Sequence, residues 1–495
     1  MNIVLLRRPL ITAVFVVASL GLVTFGVCMA DWPRFRGPNG SGIATDSAAL
    51  PTQWSPQTNL AWKLELPGPG ASSPIIVGDR VFVTCYSGYG TSREQVGEIE
   101  NLKRHLICVD RRTGKQLWMS TVAATLPEDP YSGMGIPAHG YASHTPVADD
   151  ERVYAFFGKS GVVCYDLDGK ELWKTKVGTG SDPKRWGSSS SPILHDDIVI
   201  VTASAESGSM IGLDKKSGEE KWRQTADGLI DVWGTPVIAK IDDKRSDLVV
   251  GVPYEFWGLN PGTGKLRWYS EAMQSDSYNS SVVEADGVIY GIEGRGGGSA
   301  AVKAGGKGDT SAANTIWTGR DTARFASPLV YNSRIYYFAN GVANCIDATD
   351  GSSIFKGRLP AKSTNPAAPA GPRENETADS QRPQQGNAGS NPTRPNPAGF
   401  GSRGGFGSRG GFGGRGGRGG FGGADYSSPV AGDGKVYYFK SDGTAYVINA
   451  SDEFELLATN QIAEGVETFR GTPALSDGQI VVRSNRYLYC IDAAQ

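Results

Sequence analysis

Histidine is scarce in this sequence, and cysteine is not arranged for chemistry. Four His are scattered through 495 residues, too few and too far apart for a His-rich metal site or a haem relay. No C-x-x-C occurs among the six Cys, which excludes c-type haem attachment, thioredoxin-type redox motifs and zinc ribbons. A nucleophile elbow, an H-E-x-x-H helix and a phosphate-binding loop are also missing. An excess of charge of either sign is lacking too. The 49 Lys and Arg nearly balance the 51 Asp and Glu, for a net charge of −2, which argues against a wholly disordered chain and a globally basic nucleic-acid binder. What is abundant is Gly, at 67 residues about twice ordinary usage, together with 11 Trp. Many turns therefore accompany many large aromatic anchors.

The first 30 residues read as an export signal. Arg7 and Arg8 precede an apolar run from Leu10 to Val27, and Cys28-Met29-Ala30 places small residues at the −3 and −1 positions of a cleavage site after Ala30. The expectation is a cleaved signal peptide and a periplasmic or secreted protein. Two alternatives attach it to a membrane instead: the 18-residue run as an uncleaved anchor, or lipidation at Cys28.

Beyond the signal the chain repeats. A short strand opened by Ser/Thr-Pro recurs at Ser73-Pro74, Thr145-Pro146, Ser191-Pro192, Thr235-Pro236, Ser281-Val282, Ser327-Pro328, Ser428-Pro429 and Thr472-Pro473, with five of the seven spacings at 44–46 residues. Each unit continues with an alternating strand, a third strand ending in a turn, and a fourth strand carrying an aromatic. The sharpest form of that turn is Cys108-Val109-Asp110-Arg111-Arg112-Thr113-Gly114-Lys115-Gln116-Leu117-Trp118, echoed at Asp214…Gly218…Trp222, Asn260…Gly264…Trp268, Asp166…Gly169…Trp173 and Asp347…Gly351…Phe355. The fifth unit keeps only Trp317. Asp or Asn caps such a turn through its own backbone and Gly supplies positive φ; Trp is large enough to fill the gap between neighbouring sheets. Four antiparallel strands at a period of about 45 residues predict an all-β, eight-bladed β-propeller. The eighth unit lacks its Trp-bearing strand, which Leu60-Ala61-Trp62-Lys63-Leu64 supplies, so the N-terminal strand is expected to close the ring. The division is a 31–59 N-terminal extension followed by a propeller over 60–495. Equivalent positions in different blades lie too far apart to bridge, so Cys108, Cys164, Cys345 and Cys490 read as small buried apolar residues and Cys85 as a free thiol.

The Asp-x-x-Thr-Gly-x-x-x-Trp motif resembles the tryptophan-docked propeller of pyrroloquinoline-quinone (PQQ) dehydrogenases and of their non-enzymatic relatives, the BamB-type outer-membrane assembly factors. The opening Asp31-Trp32-Pro33-Arg34-Phe35-Arg36-Gly37-Pro38-Asn39-Gly40 is similar to the start of exported PQQ-like repeat proteins. The resemblance implies the architecture and leaves open whether the protein is a non-catalytic binding platform in the cell envelope or a PQQ- and calcium-dependent dehydrogenase of alcohols or sugars. The adjacent Cys pair of the alcohol dehydrogenases is missing, and no Glu, Asn and Asp set for calcium is assignable.

Extra residues at 86–104, 121–142 and 359–424 fall on one face, where the residues preceding each inner strand ring the channel mouth. Trp233, Tyr278, Asn279, Arg324, Asp425, Glu467 and Arg470 are the candidate ligand-binding residues, with Trp186, Asp231 and Tyr426 beside them: aromatics and Arg stack and clamp a flat anion, and Asp425 with Glu467 are the first candidates for a carboxylate set. His139 and His144 flank the same region. The insertion 359–424 starts Pro/Ala/Asn-rich and ends in Arg-Gly-Gly units with interleaved Phe; it holds eight Lys/Arg against three Asp/Glu between 360 and 424. Such a segment reads as disordered. In an exported protein it suits a tether to anionic or polysaccharide polymers, or a plain linker; envelope proteins are the other expected partners.

Overall fold

The computed structural model describes residues 31–294, 296–361 and 425–493. The expected signal peptide, with Cys28, and nearly all of the 359–424 insertion lie outside the described residues.

Each Ser/Thr-Pro pair opens a short innermost strand: Ile75–Val77, Val147–Ala148, Ile193–His195, Val237–Lys240, Val283–Ala285, Leu329–Tyr331, Val430–Gly432 and Ala474–Ser476. Pro is tolerated there because this strand is the inner edge of its sheet and needs no donor on that side. The second and third strands are apolar on both faces, as Val81 to Tyr86 and Leu106 to Val109 show in the first blade. Such two-sided burial follows from stacking sheet on sheet around an axis. The fourth strand, Gln116–Ala123 in the first blade, is mostly exposed or half-buried, with only Val122 buried, because its outer edge meets solvent. Eight sheets result, each antiparallel through four strands. In the last blade the order runs Leu60–Glu65, Tyr487–Asp492, Gln479–Arg483, Ala474–Ser476, so the N-terminal strand completes the final blade and closes the ring.

The tryptophans join successive blades. Each indole reaches the turn of the following blade and donates to a backbone carbonyl there: Trp62 to Arg111 (2.7 Å), Trp118 to Leu167 (2.9 Å), Trp173 to Lys215 (3.2 Å), Trp222 to Pro261 (3.0 Å) and Trp317 to Ala348 (2.9 Å). The indole lies on the turn glycine. A Cβ on Gly264, where φ is +70°, would stand 2.4 Å from Trp222. The residue paired across the ladder from each Trp is small: Cys108, Cys164, Gly212, Gly258, Ala301 and Cys490. The recurring cysteines are thus seats beneath an aromatic ring. All five described Cys are buried free thiols.

One junction departs from the pattern. The fifth blade has lost its Asp-x-x-Thr-Gly turn, and residues 304–314 replace it with a two-residue strand, Gly308–Asp309, that runs parallel to the outer strand Leu266–Glu271 of the fourth blade. The fourth blade is therefore five-stranded, an addition to the expected four. With no turn to meet, Trp268 bends into its own blade, is fully buried and donates to Asp247 Oδ2 at 2.8 Å. Asp247 also accepts from Arg245 (2.8 Å) and Arg267, so its burial is compensated.

Two expectations follow. Trp222→Phe orphans the Pro261 carbonyl and should cost about 1–3 kcal/mol, whereas Gly264→Ala, which forces both the indole and a positive φ, should cost about 3 kcal/mol or more; thermal unfolding of the two variants measures this order. Alkaline pH provides the second. Burial pushes the thiols of Cys85, Cys108, Cys164, Cys345 and Cys490 from 9.0 up to about 12. The unfolded chain releases these protons near pH 9 while the folded chain holds them, so their contribution is complete below pH 9 and is lost as pH rises through 12, at up to about 1.4 kcal/mol per pH unit per thiol. Buried phenols such as Tyr86 and Tyr154 act in the same direction. Arg34 and Arg36, depressed from 12.5 to about 9, act in the opposite one and offset part. Urea midpoints should therefore fall steadily above pH 9.

Candidate functional site

The eight residues that open the inner strands meet at the axis and form a closed ring. The backbone N–H of each donates to the side-chain hydroxyl of its counterpart in the next blade: Ser73 to Thr145, Thr145 to Ser191, Ser191 to Thr235 and Thr235 to Ser281, all within 2.8–3.0 Å. Ser281 then donates to Ser327, Ser327 to Ser428, Ser428 to Thr472 and Thr472 to Ser73, at 2.9–3.0 Å. These N–H groups belong to a strand edge with no further strand to pair, and the hydroxyls satisfy them. Only Ser or Thr does this without filling the axis.

The same eight hydroxyl-bearing residues line a cavity of about 140 Å³ in the central channel. Its floor is Phe35. The N-terminal segment carries this ring across the other end of the channel and is held at many points. Trp32 bridges to Ile76, Asn39 exchanges hydrogen bonds with Ile238, Ile43 bridges to Ala431, and Trp54 stacks on Phe439 at 5.8 Å. Gly37 is required at its bend: φ is +67° and a Cβ would stand 2.6 Å from Trp32.

Above the hydroxyl ring the wall is aromatic. Trp186 and Trp233 sit 5.0 Å apart with Lys184 Nζ 5.9 Å from each ring, and Lys184 is paired with Asp231 at 2.5 Å. Across the mouth Phe325 stacks on Tyr426 at 4.6 Å and 10°, with the Arg470 guanidinium 6.0 Å from the Tyr426 ring. The loops 88–102 and 124–146 pack together through Tyr86, Tyr89, Leu102, Ile136 and Tyr141 and bring Ala138 and His139 to the rim. His139 Nε2 donates to the Trp186 carbonyl, which leaves Nδ1 to accept from Ser143, and burial depresses its pKa to about 4. Both nitrogens of this neutral ring are occupied. His144 is also buried, with Nε2 2.9 Å from Ser188 Oγ.

Of the residues singled out from the sequence, Trp233, Asn279 and Arg470 line the cavity, as do Trp186, Tyr426 and His139. The others do not. Tyr278 is buried behind the wall, where Gly251 and Gly291 make room for its ring. Arg324 is exposed on the rim, over Phe325 at 5.2 Å. Asp425 is engaged away from the cavity, accepting from Tyr438 Oη (2.9 Å) and Ser441 N (2.9 Å). Both Glu467 oxygens accept from Tyr489 Oη at 2.8 Å. Sequence reasoning missed Phe35, Phe325 and the hydroxyl ring; the periodic Ser/Thr was visible, but as a strand opener only.

These positions bear on calcium and PQQ. Calcium takes six to eight oxygens, carboxylates prominent among them. No Asp or Glu is among the described residues lining the cavity, and no group of three His, Cys, Asp or Glu among the described residues is placed to hold a metal. The donors present do not fit calcium-assisted quinone binding.

A family model described as outer membrane protein assembly factor BamB matches residues 102–357, just over half of the chain. The chain belongs to this BamB family of PQQ-like propellers. BamB from Moraxella catarrhalis superposes with a TM-score of 0.52 at 10% identity, covering 88% of this chain and 97% of that one. A quinohemoprotein alcohol dehydrogenase from Comamonas testosteroni gives 0.52 at 11% identity, covering 93% and 80%. A polyvinylalcohol dehydrogenase from a Pseudomonas species is 22% identical over 270 residues, 45% of this chain and 37% of that protein. The chain thus spans little more than a third of this relative's length. A shared fold links assembly factors and enzymes, so the fold alone does not give the activity. No helix among the described residues is long and apolar enough to cross a membrane.

Ser281 provides a direct check on the ring. Ser281→Ala leaves the Thr235 N–H buried without a partner and should cost about 1–3 kcal/mol in chemical denaturation, whereas Ser281→Thr, the residue used at three other ring positions, should stay within about 1 kcal/mol of the parent.

Proposed function

We propose that the protein is an exported, non-catalytic PQQ-like propeller of the cell envelope that binds a small flat ligand in its central channel and presents its surface to envelope proteins. The observation that carries this reading is the channel cavity itself: aromatic walls, a hydroxyl collar and an aromatic floor, with no acidic residue in its described lining. Such a surface stacks and hydrogen-bonds. Its lining histidine, His139, has both ring nitrogens occupied, and its described lining offers no carboxylate base and no calcium ligand set to draw a proton from an alcohol. The family description, an outer-membrane assembly factor, supports envelope proteins as partners.

The second reading, a PQQ- and calcium-dependent dehydrogenase of alcohols or sugars, is favoured by the name of the polyvinylalcohol dehydrogenase relative. Calorimetric titration of the purified protein with PQQ, with and without calcium, separates the two. The expected result is binding that calcium does not strengthen, or none, together with no turnover of alcohols with an artificial electron acceptor. Tight calcium-dependent binding with turnover overturns the proposal in favour of the enzyme.

A further inference from the structure

A second cavity, of about 30 Å³, lies among the loops of the first three blades and shares no lining residue with the channel cavity. It is too small for a substrate and large enough for water. Six ionisable side chains line it: Arg104, Glu128, Asp129, His144, Lys159 and Glu206. Four of them form two ion pairs. Arg104 Nη2 meets Glu128 Oε2 at 2.6 Å and Lys159 Nζ meets Asp129 Oδ2 at 3.2 Å, with all four side chains more than nine-tenths buried. Asp129 is paired a second time, with Arg185 at 2.7 Å.

Glu206 is the carboxyl left over. It sits in the single helical turn Ser204–Ser207, between the second and third strands of the third blade, and is 4% exposed. No cation is bonded to it; Oε2 lies 3.3 Å from Ser188 Oγ. Arg223, which donates to the adjacent Ser207, is paired with Glu220 at the surface. Burial pushes the Glu206 carboxyl from 4.5 up to about 7, against the pull of hydrogen bonds from its own backbone and Ser188; the charges of Glu128 and Arg104 act on it in opposite directions. An ionised carboxylate without a counter-charge is costly in such a place.

The hydrogen bonds agree with a proton on Glu206. Ser188 Oγ also lies 2.9 Å from His144 Nε2, and burial, assisted by Arg104 and His139, depresses His144 to about 3, so its ring is neutral. Ser188 has one proton to give. If Glu206 is charged, Ser188 donates to it and His144 must donate from Nε2, which leaves Nδ1 as a buried acceptor with no donor facing it. If Glu206 is protonated, it donates to Ser188, Ser188 donates to Nε2, and the ring proton sits on Nδ1; the backbone acceptor that acts on this ring is the Phe156 carbonyl. Only the second account gives each donor an acceptor.

We infer that Glu206, Ser188 and His144 form a proton-dependent latch that ties the third blade to the two loops framing the channel mouth. Ser188 belongs to the loop 177–190, which carries Trp186, and His144 to the loop 124–146, which carries His139. The first loop is also pressed onto the Glu206 backbone: Gly180 N donates to its carbonyl at 2.8 Å, and a Cβ on Gly178 would stand 2.3 Å from that oxygen. The loop therefore cannot shift sideways to admit water to the carboxylate; it has to lift. Once lifted, Glu206 titrates in water near 4.5. Below pH 4.5 the closed and open forms both hold the proton. Between 4.5 and 7 only the closed form holds it, so opening becomes up to about tenfold more favourable per pH unit. Above 7 neither form holds it and the effect levels off. The latch is independent of what the channel binds.

Hydrogen exchange of the full protein between pH 5 and 8.5, expressed as protection factors so that the intrinsic pH dependence of exchange cancels, tests this. Protection across 177–190 should fall several-fold or more per pH unit up to pH 7 and then flatten, while the strands Ser246–Val252 and Glu255–Leu259 of the fourth blade stay constant. Glu206→Gln, which keeps a donor and cannot ionise, should hold the acid-pH protection throughout. Infrared difference spectra of the unmodified protein between pH 5.5 and 8.5 give a second readout that needs no variant: a protonated-carboxyl band should disappear with a midpoint near 7. Protection that does not change with pH, a fall that persists in Glu206→Gln, or the absence of that band each overturns the latch.

Discussion

Eight innermost strands must each end against an axis that offers no neighbouring strand, and the ring of hydroxyls at that axis is the interaction on which the rest depends. Each blade hands a backbone N–H to the next and receives one on its own hydroxyl, so no blade is satisfied until all eight are present. The ring fixes the radius of the channel, hence the size of the cavity. It also fixes where the following Pro carbonyls point, and those of Pro236 and Pro328 hold the N-terminal arginines in place. At the outer circumference the docking tryptophans repeat the same logic, each indole completing its neighbour's turn. Inner and outer contacts both run from one blade to the next, which makes the propeller stable against shear between sheets without a disulfide among the described residues.

The architecture was legible because it repeats. A Trp, a turn Gly and a small residue opposite the Trp recur with a period that needs no knowledge of long-range contacts, and the incomplete eighth unit announced its own closure by Leu60 to Leu64. The site was less legible because it is built from contacts that no period encodes. Asp425 and Glu467 were attractive as acids near the mouth, yet a nearby phenol, Tyr438 or Tyr489, takes each of them. Tyr278 lies one residue from the lining residue Asn279 and faces the core, since neighbouring residues of an extended segment point opposite ways. Phe35 reaches the cavity from the far end of the channel, separated in sequence from every residue it meets there. Trp268 shows the converse: its motif is intact, but the turn it should meet was lost from another blade.

Relatives of two kinds share this fold, an assembly factor and an alcohol dehydrogenase. The fold is shared with a quinohemoprotein dehydrogenase as closely as with BamB, so shape does not discriminate. The oxygens at the axis of this chain are those of eight hydroxyls. Each of these hydroxyls accepts from a buried N–H of the neighbouring blade and so helps to hold the ring together.

The closing strand has a consequence for the order in which the protein assembles. Leu60–Glu65 pairs with Tyr487–Asp492, the last strand of the chain, and Arg36 reaches carbonyls in the sixth and seventh blades. The segment made first therefore finds its place last. Until the eighth blade exists, the N-terminal strand has no partner, the channel has no floor and the hydroxyl ring is open. Contacts of such high sequence separation form slowly and leave strand edges exposed meanwhile. The chain is consequently committed to its native state only once its full length is available, and a truncation anywhere near the C-terminus removes the beginning of the structure along with its end.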